Sequence, residues 1–158
     1  MPLISRSLHP ANNRVSHSWS MAVPADHMWW GLTDPEALPR WLGKLTSGEF
    51  GVGNSVTIQH AEGYFCTSRI QECEPERILS MTWEFPDEPP SHVRIMLTPA
   101  GASTHLALQH DGLGNEAVDY LPGWHTHLLY LEALLLGQPR SMADFWSTYD
   151  GLTASRED

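Results

Sequence analysis

With 158 residues, 41% of them hydrophobic and 18% charged, the chain has the size and composition of one folded domain, and of neither a disordered segment nor a membrane protein. Nine Lys+Arg against nineteen Asp+Glu leave a net charge of −10, and Lys44 is the one lysine. A surface of this sign repels phosphate backbones and anionic leaflets, so neither nucleic acid nor a membrane is an expected partner.

Residues 1–13 are polar, carry two prolines and two asparagines, and show no period. They read as a flexible arm. They lack the apolar run of a signal peptide, which points to a reducing cytoplasm. Cys66 and Cys73 fit that setting, because their odd spacing in one strand sends them to opposite faces and excludes a disulfide. From Arg14 a period of two places Val15, His17, Trp19, Met21 and Val23 on one face and Ser16, Ser18 and Ser20 on the other, the pattern of a half-buried strand. Pro24 ends it and suits the first turn of a helix, whose apolar side is Met28, Trp29 and Leu32. Thr33-Asp34-Pro35-Glu36 has capping-box spacing and predicts a second short helix through Leu38, Trp41 and Leu42.

Strand patterns separated by turn residues come next: Val56–His60, Tyr64–Glu72, Ile78–Phe85, Val93–Leu97 and Thr104–His110. Their short connections argue an antiparallel meander. Residues 116–136 predict one long helix, kinked or divided at Pro122-Gly123. Trp124, Leu128, Leu131 and Leu135 form its apolar stripe, and Gly137 and Pro139 stop it. Its longest apolar stretch, Leu128–Leu136, is far too short to span a bilayer. Ser141 and Asp144 open a last short helix carrying Phe145, Trp146 and Tyr149. Residues 14–150 thus make a single domain, and 151–158 a flexible tail.

An antiparallel sheet cannot leave its apolar face wet, and the long helix is the element large enough to cover it. The expected fold is α+β, a curved antiparallel sheet of six to seven strands wrapped around the long helix, with two short helices after the first strand. Such a grip commonly leaves a cavity between sheet and helix, the natural place for a ligand.

Several pieces stand in a telling order: Val23-Pro24-Ala25, Trp30 through Glu36 with Trp41 behind it, Trp83-Glu84, Leu97-Thr98-Pro99, Leu108 through Leu113, and Gly123-Trp124 followed by Leu128 and Leu131. Together they resemble the START-like helix-grip superfamily (SRPBCC). Within it they resemble bacterial homologues of the C-terminal domain of the chaperone ATPase activator. The resemblance implies a pocket for lipids, polyketides or other apolar molecules, and links to stress response. It also implies a possible chaperone contact, although this chain has no room for the activators' additional N-terminal domain. The metal-cluster motif of the Rieske-type oxygenases that share the fold is missing.

Strand parity and helix spacing select the candidate site. His17 shares a face with Trp19 and Met21, and His110 with Leu106 and Leu108, so both imidazoles point inward. His110, which ends its strand, is expected at the pocket rim. Each either meets a ligand or bonds a neighbour within the core. His127 borders the inward stripe of the long helix, while His125, about 200° away, is expected toward solvent. Trp19, Trp83 and Trp124 are candidate pocket walls, and Trp29, Trp41 and Trp146 read as helix-face core. The candidate ligand-binding set is therefore His17, Trp19, Trp83, His110, Trp124 and His127. No nucleophile elbow, phosphate loop or dinucleotide motif is present, so no cofactor and no metal is expected. The leading expectation is a small apolar ligand bound by a monomer or homodimer. The alternatives are a polyketide cyclase or aromatase using pocket histidines, and a module that stimulates a chaperone ATPase.

Overall fold

The computed structural model describes residues 3–9 and 13–155, with side chains to 153. Strands β1 (Leu3–His9) and β2 (Arg14–Met21) precede α1 (Ala25–Thr33) and a 3-10 turn at Leu38–Arg40. The meander follows: β3 (Lys44–Ser47), β4 (Ser55–Ala61), β5 (Tyr64–Glu74), β6 (Ile78–Trp83), β7 (Ser91–Ala100) and β8 (Ser103–Asp111). Then come α2 (Ala117–Leu135) and α3 (Phe145–Ser155). All strands join one eight-stranded sheet in the order β1-β2-β8-β7-β6-β5-β4-β3, every pairing antiparallel. This is the expected helix grip, with eight strands instead of six or seven.

Burial follows the sequence periods. The inward residues of β2, β6, β7 and β8 and the α2 stripe Trp124, Leu128, Leu131 and Leu135 are all buried. Each large apolar side chain so placed contributes about 1.5–3 kcal/mol. The long helix is not divided: Pro122 lies inside α2, and its carbonyl accepts a 2.7 Å hydrogen bond from the Thr126 hydroxyl.

Five expectations are corrected. The N-terminal arm is a strand: Arg6 stands opposite His17 and Leu8 opposite Val15. Its alternation was hidden because a bulge between Leu3 and Ser5 shifts the register and because an inward position carries arginine. That arginine meets His125, with Arg6 Nη1 2.9 Å from His125 Nδ1, so His125 is half-buried under β1 and does not face open solvent. Residues 1–2 and 10–12 of the expected arm lie outside the described residues. The expected tail is helical through Ser155 as the end of α3, and 156–158 lie outside the described residues. The second short helix is only a 3-10 turn, because Thr33 donates back to the Trp29 carbonyl while Asp34 accepts from the Glu36 amide. Finally, Trp146 is not core: it is 67% exposed.

Candidate functional site

A cavity of about 400 Å³ lies between the sheet and the N-terminal half of α2, and α3 closes one side of it. The sheet supplies His60 and Ala61 from β4, Tyr64 from β5, and Trp83 with Phe85 from β6 and its continuation. The proline-rich loop after β6 brings Glu88. From α2 come Tyr120, Trp124 and His127 at helical spacing, with Glu116 and Asp119 at the helix start. Met142, Phe145, Trp146 and Tyr149 complete the wall, and the exposed Ala61, Asp119 and Trp146 mark the mouth. The walls are aromatic, with few polar groups, as small-molecule sites generally are.

The two deep tryptophans are held by a hydrogen-bonded chain behind them. Trp124 Nε1–H donates to His110 Nδ1 at 3.0 Å. His110 must then carry its proton on Nε2, which lies 2.7 Å from Ser91 Oγ and donates to it. The Ser91 hydroxyl donates in turn to the Trp83 carbonyl at 3.2 Å. On the cavity side, Trp83 Nε1–H donates to the Tyr120 hydroxyl at 3.1 Å, and Tyr120 donates to Glu88 Oε1 at 2.7 Å. The walls are thus tied into networks whose members have few alternative partners.

Two imidazoles face the cavity. His127 Nδ1–H donates to the Trp41 carbonyl at 2.7 Å, which fixes the tautomer and leaves Nε2 as a lone-pair acceptor on the cavity. Burial pulls His127 down to about 4 and, aided by the nearby His127 charge, His60 to about 3. Both are neutral at physiological pH. Their ring centroids are 6.3 Å apart, and His60 Nε2 is buried without a hydrogen-bond partner among the described residues. Burial raises the Glu88 carboxyl above the usual range, and the Glu116 and Asp87 charges add to that shift. Burial also pushes the Cys66 thiol up to about 12, so it is no nucleophile near neutral pH.

Of the six residues expected from sequence, the structure brings Trp83, Trp124 and His127 together on the cavity. His110, expected at the rim, is fully buried behind the tryptophans and touches no cavity surface. Its strand face does point inward, but Tyr120 and Trp124 cover it, with ring centroids at 4.8 and 6.1 Å. His17 and Trp19 are packed against another stretch of α2 and do not line the cavity. His17 Nε2–H donates to the Leu121 carbonyl at 2.9 Å, and Trp19 Nε1–H reaches Glu132 at 3.3 Å. His110 and His127 cannot share a zinc ion, because the His110 lone pair is taken by Trp124. Among the described residues no group of three or more His, Cys, Asp and Glu is arranged to hold a metal. His60 was missed although it shares a strand face with Val56 and Ile58. Tyr120, Glu88 and the α3 residues carried no signal, since only tertiary folding brings them here.

The family model described as "Activator of Hsp90 ATPase homolog 1-like protein" matches residues 22–135. The chain belongs to this family. The START-like resemblance read from its sequence is thereby borne out, and the matched span runs from the end of β2 to the end of α2. Solved structures share the fold. The crystal structure of CalU16 from Micromonospora echinospora superposes with a TM-score of 0.76 at 24% identity, covering 96% of this chain and 91% of that one. Protein MLL2253 from Mesorhizobium loti gives 0.71 at 26%, covering 81% and 99%. DynU16, a protein of the dynemicin biosynthetic locus, gives 0.72 at 26% over 80% of this chain, which spans only 48% of DynU16. No curated protein matches. Among the described residues no helix is long and apolar enough to cross a membrane.

Proposed function

We propose that this family member binds a small, largely apolar molecule in the cavity between sheet and α2. The observation that carries the reading is the space of about 400 Å³ itself, walled by aromatic rings where a purely structural grip would be filled. Affinity comes from the apolar area buried, at about 25 cal/mol per Å². Orientation comes from the few polar groups, His127 Nε2 and the Tyr120–Glu88 pair. Two free cysteines support a cytoplasmic setting.

A cyclase-type enzyme is the second reading. Its support is the likeness to DynU16, from a biosynthetic locus, and the Glu88 carboxyl with its raised proton affinity beside the cavity. The pocket histidines support it poorly, since imidazoles held near 3 and 4 are weak bases at neutral pH. The chaperone role carried by the family's name is favoured by a filled core, and the cavity counts against it.

Native mass spectrometry of freshly purified protein tests the leading reading. A retained molecule is expected on the natural sequence and not on Ala61→Trp, which plugs the mouth from an exposed position. Equal retention by both proteins removes the cavity as the binding site.

A further inference from the structure

The polar inventory of the cavity leans toward acceptors and negative charge, although the neutral His60 ring, whose Nε2 is unpartnered, keeps one N–H. Its carboxylates are Glu88, Glu116 and Asp119, and among the described residues no lysine or arginine lines it. The imidazole whose tautomer is fixed, His127, offers a lone pair and no N–H. Tyr120 spends its hydroxyl proton on Glu88 and accepts from Trp83, so it has no donor to give a ligand. Glu116 and Asp119 sit at the N-terminal end of α2. Between these groups stand tryptophan and tyrosine rings, whose faces attract cations through their quadrupoles.

The complement of acceptors, ring faces and negative charge is a donor-rich cation with an apolar body. Resting on the cavity reading above, we infer that the site selects an organic ammonium, an apolar or aromatic molecule carrying a protonated amine, and rejects carboxylate and phosphate analogues. The ammonium lies against the aromatic wall within reach of Glu88 and relieves the repulsion that Glu88 feels from Glu116 and Asp87. The apolar body fills the space under Trp83 and Trp124. The protein's net charge of −10 works in the same direction at longer range.

Three probes of one shape and three charges test this: 2-naphthylmethylamine, 2-naphthylmethanol and 2-naphthoate, titrated calorimetrically at pH 7.5. The amine is expected to bind best and the carboxylate worst, with Glu88→Gln weakening the amine roughly tenfold and leaving the alcohol unchanged. The amide oxygen that this substitution introduces still accepts from Tyr120, and Glu116→Gln serves as a second variant should the first melt early. Amine and alcohol binding equally, or Glu88→Gln and Glu116→Gln both leaving the amine unaffected, overturns the charge selection while the cavity reading stands. If none of the three probes binds, the cavity reading fails and this inference with it.

Discussion

The buried histidine behind the tryptophans gives the sharpest prediction. His110→Phe keeps a planar ring but removes both nitrogens. Trp124 Nε1–H then loses its 3.0 Å acceptor, and Ser91 loses the 2.7 Å donation from His110 while keeping its own bond to Trp83. One buried donor is orphaned outright, at about 1–3 kcal/mol. The larger ring enters a site with no exposed surface, which adds about 1–3 kcal/mol of overpacking. The expected loss is therefore about 2–6 kcal/mol in urea unfolding, with Tm falling about 2–4 °C for each kcal/mol in a chain of this size. Trp124→Phe removes the same hydrogen bond from the other side. The double variant should lose less than the sum of the two, by about 1 kcal/mol of coupling. Additive losses, or a His110→Phe loss below about 0.5 kcal/mol, would refute the chain as the element that positions the cavity wall. Weakened ligand binding with unchanged stability would return His110 to the rim.

Trp124→Ala empties a buried site at the head of the α2 stripe and should cost about 3–5 kcal/mol; a loss under about 1 kcal/mol in denaturant unfolding would place the residue at the surface. Stability should fall with acid through the buried histidines. Burial lowers His17 and His127 from 6.5 to about 4, and His60 and His110 to about 3, so below pH 6.5 the unfolded chain binds more protons than the folded one. Their contribution is full above about 6.5 and is lost as pH falls toward about 4 and then about 3, at about 1.4 kcal/mol per pH unit for each group. A urea midpoint that is flat between about pH 7 and 5 would show these side chains to be solvated. Gly43→Ala should destabilise by about 1–3 kcal/mol, because a Cβ there would stand 2.6 Å from the Gln59 carbonyl oxygen and 2.7 Å from Ile58 Cγ2; a melting curve matching the natural protein would mean that β4 shifts freely.

The grip was legible before any folding was seen. Period-two runs from Val15 to Met21, Leu79 to Trp83 and Leu106 to His110 announce half-buried strands, and the spacing of Trp124, Leu128, Leu131 and Leu135 announces the helix they hold. These are local signals, set by how a strand or helix turns its side chains to one side. Trp83, Trp124 and His127 were legible as cavity-lining residues for the same reason, since an inward face and the covering helix must meet. Parity tells which way a side chain points, however, and not what stands in front of it. His110 points inward and is roofed by Tyr120 and Trp124, while His17 points inward against the Leu121 carbonyl of α2. The strand at Leu3–His9 escaped notice because a bulge and an inward arginine break its pattern, and that arginine reaches a histidine on α2 and the end of α3, both distant in sequence. Glu88, Tyr120 and Trp146 come from a proline-rich loop, a helix start and a C-terminal helix, and no short-range rule links them. Only the closing of α2 and α3 over the curved sheet brings carboxylate, hydroxyl and ring together, because the sequence encodes which surface each segment buries and the packed chain decides what lies opposite it.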